Sequence, residues 1–213
     1  MIKEAILAVD EGTTNSKAIL IDQTGQTLST GSAFVKTNYP QPSWVEQSAS
    51  QIWSSTLAAI NDCLTKKPLV KVVALGISNQ RESILLWNKR TGKPIGPVVN
   101  WQCRRTAAEC NFLKEKGLEK DLIHLTGLPV DPLFSSTKIK WLIDNYALNV
   151  PEEEICVGTV DSWLIWNFSG GQVHGTDRSN ASRTQLFNIS NGCWDQKLCD
   201  LFQVSMAMLP NVN

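Results

Sequence analysis

Apolar residues run unbroken over 5–9, the polar stretch Asp10-Glu-Gly-Thr-Thr-Asn-Ser16 interrupts them, and β-favouring residues resume over 17–22. This pattern predicts two strands joined by a polar loop. Gln23-Thr-Gly25 marks a second turn and residues 27–35 a third strand, so the chain opens as an antiparallel meander. From Ser48 the period changes. Trp53, Leu57, Ile60 and Leu64 fall on one helical stripe, with Ser48 or Ser50 as N-cap and Pro68 as the stop. Residues 70–77, 83–87 and 98–101 read as further strands, with a turn over 89–93. Beyond residue 101 helical signals dominate, over 104–116, 118–125 and 135–146. Apolar segments at 157–160 and 163–168 lead into Gly170-Gly171, and an amphipathic helix over 194–202 precedes Leu209-Pro210. An antiparallel opening together with crossover helices predicts an α/β fold, a mixed β-sheet flanked by helices.

Length and charge narrow the function classes. The 213 residues can bury one sizeable core or two small ones. Twenty basic side chains balance 20 acidic ones and the pI is near 6.7, so no bulk field attracts nucleic acid or an anionic membrane. Any bound anion must be held locally. No apolar run approaches the roughly 20 residues that span a bilayer. Met1 to Glu4 leads directly toward a strand rather than a signal peptide, which makes a cytoplasmic location the expectation. Cys63, Cys103, Cys110, Cys156, Cys193 and Cys199 form no C-x-x-C pair, and His124 and His174 stand far apart. No zinc spacing results, and each cysteine reads as a reduced, buried or half-buried side chain.

Three polar segments stand where ligands bind. In the first loop, Gly12 lets the backbone approach a ligand, exposed N–H groups and the hydroxyls of Thr13, Thr14 and Ser16 suit an anion, and Asp10 could hold magnesium through water. An ordinary hairpin turn would explain the same pattern. Lys17 could neutralise phosphate, or be a solvated surface lysine. Ser78-Asn-Gln-Arg-Glu82 follows an apolar strand, and crevices in open α/β sheets lie at such strand ends. Arg81 and Glu82 offer the donors and acceptor that adjacent hydroxyl groups require, or else form a surface ion pair. Trp101-Gln-Cys-Arg-Arg105 closes the next strand with an aromatic face and two guanidinium groups, although Trp101 equally suits a core.

Eight blocks in order resemble one family. They are Asp10-Glu-Gly-Thr-Thr, Trp44-Val-Glu46, Ser78-Asn-Gln-Arg-Glu82, Thr91-Gly-Lys-Pro-Ile95, Trp101-Gln-Cys-Arg-Arg-Thr106, Phe134-Ser-Ser-Thr-Lys-Ile-Lys-Trp141, Gly158-Thr-Val-Asp-Ser-Trp-Leu-Ile-Trp166 and Thr176-Asp-Arg-Ser-Asn-Ala-Ser-Arg-Thr184. Together they resemble the FGGY carbohydrate kinases, most closely the members that phosphorylate glycerol. The resemblance implies the actin-like ATPase fold, in which two RNase H-like domains hold a nucleotide and a polyol. It implies ATP-dependent phosphoryl transfer to a small polyol, with ATP and magnesium as cofactors, no nucleic-acid or integral-membrane partner, and room for a homo-oligomer of the full-length protein. A kinase for a pentulose or tetritol, or a non-catalytic sugar-binding relative, would carry similar blocks.

The resemblance also assigns residues. Asp10 matches the magnesium-associated carboxylate, Thr13 and Thr14 the phosphate contacts, and Asn15 and Lys17 positions where the family usually has serine and arginine. Arg81 and Glu82 match the ligands of the polyol hydroxyls, and Trp101 the wall against its carbons. Leu133 stands where the glycerol-phosphorylating members carry a tyrosine. The family's general base, an aspartate in a Gly-Asp-Gln segment, is expected beyond Asn213. The chain therefore reads as most of the N-terminal domain, without the C-terminal one and inactive by itself.

Overall fold

The computed structural model describes residues 3–67 and 69–213. The helix stop expected at Pro68 and the start of the chain at Met1 lie outside the described residues. The chain divides into two units, Met1–Thr37 with Gln47–Gln80, and Asn38–Glu46 with Arg81–Asn213. Of the two arrangements the length allowed, the chain adopts the one with two cores.

In the first unit, β1 (Lys3–Glu11), β2 (Asn15–Asp22) and β3 (Thr27–Phe34) form the expected meander. After the two-residue β4 (Glu46–Gln47), helix α1 (Ala49–Thr65) leads to β5 (Val70–Asn79), which pairs parallel to β1. The mixed sheet runs β3-β2-β1-β5. Ser48 is the N-cap, its hydroxyl accepting from the Gln51 N–H at 3.3 Å.

The buried face of α1 is not the predicted one. Ile52, Thr56, Ala59 and Cys63 face the sheet, whereas Leu57 is 42% exposed and Trp53, Ile60 and Leu64 lie half in solvent. The reason is close approach. A methyl group on Gly31 of β3 would sit 2.1 Å from the Ala59 carbonyl oxygen, so the helix presses its smaller side chains onto a glycine. Bulk on that face would push it away. Helix α1 covers Ala5, Leu7, Ala18 and Leu20. Strand β5, at the sheet's edge, leaves Val72, Val73 and Leu75 exposed.

In the second unit, β6 (Ile84–Asn88) lies antiparallel to both β7 (Pro94–Val99) and β8 (Ile155–Thr159), in a sheet of order β4-β7-β6-β8. The first eight strands thus divide between two four-stranded sheets, and the four short strands that follow form two two-stranded ones. Strand β7 stops two residues short of Trp101, because the Asn100 side chain accepts from the Gln102 N–H at 2.9 Å and turns the chain. Helices α2 (Ala107–Glu115), α3 (Glu119–Thr126), α4 (Ser136–Tyr146) and α5 (Val160–Phe168) follow the expected spacing, and the apolar segment at 163–168 belongs to α5. The rest alternates short pieces: β9 (Gly175–Thr176), α6 (Arg178–Ala181), β10 (Phe187–Asn188), β11 (Cys193–Trp194), α7 (Gln196–Phe202) and β12 (Asn211–Val212).

Strand β6 is apolar without alternation because both faces are covered. Ile84 and Leu86 pack with Ile139 and Leu142 of α4. Trp87, fully buried, meets Trp163 and Trp166 of α5 with ring centroids 5.5 and 5.9 Å away. Five cysteines are buried and all six are free. Cys193 departs from the expectation, being exposed on the two-residue strand β11. Among the described residues, no helix is long and apolar enough to cross a membrane.

Candidate functional site

The polar loop joins β1 to β2, whose register sets Asp10 opposite Lys17 and Glu11 opposite Ser16. Asp10, Thr14 and Lys17 are exposed, while Gly12, Thr13 and Asn15 are half-buried. All the phosphate-side residues, Asp10 to Lys17, therefore fall within eight positions of one hairpin. The N–H of Gly12 is spent inside the loop, donating to the Asn15 carbonyl at 3.1 Å, which removes one donor from the expected anion cradle.

Two glutamines buttress this loop. Gln47 donates to the Thr13 carbonyl at 2.8 Å, and Gln80 donates to the Gln47 side-chain oxygen at 2.8 Å and to the Gly12 carbonyl at 3.3 Å. The Gln80 N–H also donates to the Glu11 carbonyl at 2.8 Å. Gln80 thus fixes the loop from inside a segment expected to meet the ligand. Gln47 carried no sequence signal, since its partners, the Thr13 carbonyl, the Thr37 hydroxyl and the Gln80 amide, are remote in sequence.

Glu11 was also missed. Its side chain is fully buried, and Thr56 donates to Oε2 at 2.8 Å. Burial pushes its carboxyl up to about 7, against the lowering effect of the Ser16 and Thr56 hydroxyls. A carboxyl in a run reading Asp-Glu-Gly looks solvated. Strand alternation turns it inward instead.

In the second unit, Arg81 is exposed and Glu82 is 8% exposed, its backbone at φ 64°, in the left-handed region costly for a side-chain-bearing residue. The charge partner of Glu82 is Arg183, whose Nε donates to Oε1 at 2.6 Å, rather than its neighbour Arg81. The Arg183 guanidinium lies 5.0 Å from the Phe134 ring, and the Ser135 hydroxyl donates to the Glu82 carbonyl at 3.0 Å. A contact spanning 101 residues is invisible to motif reading, although Arg183 lies within the last of the eight blocks.

Trp101 is 37% exposed and its N–H donates to the Ser83 hydroxyl at 3.0 Å. Leu133 is half-buried, its N–H donating to Asp131 at 2.8 Å. Lys138 joins the two. Its Nζ donates to the carbonyls of Asn100, Trp101 and Leu133 at 2.9, 3.2 and 3.0 Å. Burial pushes this ammonium down to about 7. The second unit therefore gathers Glu82, Trp101 and Leu133 around the buried Ser135 and Lys138 and the partly buried Arg183.

A second buried cation braces the same unit. The Arg105 guanidinium is sandwiched between the rings of Trp44 and Trp141, at 4.0 and 4.3 Å, and donates to Glu46 at 2.8 Å. Its side chain is fully buried. Of the two guanidinium groups expected near a ligand rim, that of Arg105 is thus structural.

Asp161 and Asp177 both carry structural duties. The Thr159 and Thr176 hydroxyls donate to Asp161, at 2.5 and 2.7 Å, and Asp177 caps α6 through the Asn180 N–H at 2.7 Å.

Residues 5–213 match the N-terminal domain of the FGGY family of carbohydrate kinases. The whole chain is 44% identical over 217 residues to the glycerol kinase of Desulforamulus reducens, of which it covers 43%. It is 44% identical over 213 residues to glycerol kinase 2 of Thermotoga maritima, with 97% of this chain and 43% of that protein covered. The crystal structure of Plasmodium falciparum glycerol kinase with ADP superposes with a TM-score of 0.92 at 28% identity, over 99% of this chain and 43% of that one. The gluconate kinase of Lactobacillus acidophilus shares the fold, with a TM-score of 0.88 at 21% identity over 99% of this chain and 42% of that one. The chain spans less than half the length of these proteins. It belongs to the FGGY family of carbohydrate kinases.

Proposed function

We propose that the full-length protein carrying this chain transfers the γ-phosphoryl group of ATP to a hydroxyl of a small polyol, glycerol first among the acceptors. The observation that carries this reading is identity of 44% along the whole chain to proteins named glycerol kinase. Phosphoryl transfer asks a protein mainly for positioning and charge neutralisation. In this reading Thr13, Thr14, Asn15 and Lys17 contact the nucleotide phosphates, and Gly12 keeps the backbone close to them. Arg81 and Glu82 hold the acceptor hydroxyls against Trp101 and Leu133. The 213 residues act as most of the N-terminal domain, and the general base is assigned to none of them, Asp161 and Asp177 being engaged as described.

Asp10 suits a magnesium ion that keeps most of its water, because it offers an exposed carboxylate oxygen at a strand end. Asp10 would hold such an ion through its water shell, and the ion would supply positive charge against the phosphates. A soluble protein working on small molecules in the cytoplasm fits this chemistry.

A second reading is favoured by Leu133, which puts apolar surface where the glycerol-phosphorylating members have a tyrosine. Removing a polar partner weakens discrimination against longer or differently hydroxylated acceptors. The experiment is a panel of three-, four- and five-carbon polyols and ketoses with ATP, on wild type and Arg81→Ala. The variant is expected to raise the acceptor KM and lower kcat/KM by roughly 1–3 kcal/mol, with the ATP KM unmoved. Unchanged acceptor kinetics in a folded Arg81→Ala protein would make Arg81 a solvated surface residue, and a preference for five carbons would select the second reading.

A further inference from the structure

Lys138 is the third residue of α4, its side chain fully buried, and it meets carbonyl oxygens rather than carboxylates. Its three contacts come from two loops. One follows β7 and supplies Asn100 and Trp101, and the other precedes α4 and supplies Leu133. In its protonated form Lys138 carries three N–H donors, each aimed at a backbone carbonyl, so none remains for a ligand. Holding a cation in an apolar interior is unfavourable, and a well-packed apolar side chain would fill the same volume more cheaply. What an apolar side chain could not do is bind three carbonyls at once, and those carbonyls belong to the loops that carry Trp101 and Leu133.

Resting on the acceptor-site reading above, we propose that Lys138 is a positioning residue that sets the separation of Trp101 and Leu133, and thereby the size of acceptor that fits between them. The residue acts through the backbone of its partners, without touching the acceptor. Its neighbours fix the frame's other corner, since Ser135, three positions earlier on the same helix entry, donates to the Glu82 carbonyl. A single helix N-terminus therefore holds the backbone of Glu82, Trp101 and Leu133 in one arrangement.

The test uses the full-length protein and Lys138→Met, which keeps the volume and removes the donors. The expected result is an acceptor KM raised tenfold or more, kcat lowered by a smaller factor, and an ATP KM within twofold of wild type. Preference among three-, four- and five-carbon acceptors should flatten by several-fold, a change that general loss of stability would not produce. Thermal unfolding of both proteins reports whether the variant is folded. If Lys138→Met does not fold, Lys138→Gln retains part of the donor set and is read in the same way. A folded variant with wild-type acceptor KM and preference overturns the role of Lys138 alone. A wild-type protein that phosphorylates no polyol overturns the acceptor reading, and the proposal with it.

Discussion

The two units solve the problem of presenting polar residues in opposite ways. In the first, the loop residues of Asp10 to Lys17 are mostly exposed or half-buried, and the loop's shape comes from backbone register and two neutral amides, Gln47 and Gln80. In the second, Glu82 is buried and paired with the partly buried Arg183, and two buried cations, Lys138 and Arg105, brace the same unit. Neutral amides cost little to bury once paired, while a buried ion exposes the fold to large losses if its partner is removed. Substitutions at functional positions should therefore leave stability nearly untouched in the first unit and damage it in the second.

The comparison breaks most sharply at Arg105. Arg105→Ala removes the cation between Trp44 and Trp141, strands Glu46 and leaves a cavity, and is expected to cost about 3–5 kcal/mol in denaturant unfolding. A loss below about 1 kcal/mol would mean that the buried cations of this unit are not what holds it.

Glu11 is the exception that sharpens the contrast, being the buried ionisable group of the first unit's loop. Its carboxyl is held at about 7 when folded against 4.5 in the unfolded chain, so the folded state keeps a proton that the unfolded state has released. Its stabilising effect is full below pH 4.5 and is lost as pH rises through 7. Glu11→Gln should cancel that loss, making the variant more stable by roughly 3 kcal/mol at pH 8 and similar to wild type near pH 4. Parallel unfolding curves for the two proteins across this range would show that Glu11 does not titrate there.

The smallest effect is expected at Lys17. Lys17→Arg, on an exposed position, should shift stability by less than about 0.5 kcal/mol while changing the ATP KM of the full-length protein, because a guanidinium offers a planar fork that an ammonium lacks. Equal ATP affinity in both would take Lys17 out of the phosphate site.

Most of the secondary structure was legible because strands and helices announce themselves through period. The meander, α1, β5 and the helices after residue 101 all follow from it. The buried face of α1 was not legible, since the stripe of large residues is set by helical geometry alone while the packed face is set by Gly31 on another element. The positions expected to bind were legible from local motifs, and what braces them was not. Lys138 and Arg183 lay inside blocks already singled out, yet their partners, the carbonyls of Trp101 and Leu133 and the carboxylate of Glu82, lie in other loops. Side chains that bind backbone leave no pattern in the partner's sequence.

Strand β5 carries a consequence for handling the polypeptide. Nine of its ten residues pair with β1, Val73 bulging out of register, the strand lies at the sheet's edge, and Val72, Val73 and Leu75 stand in solvent. A long, apolar strand with an open row of N–H and C=O groups is a template for another strand. A preparation of these 213 residues by themselves would meet that template in its own copies. Concentration would then favour strand-to-strand self-association and precipitation, a colloidal hazard arising from one uncovered edge rather than from weak packing inside.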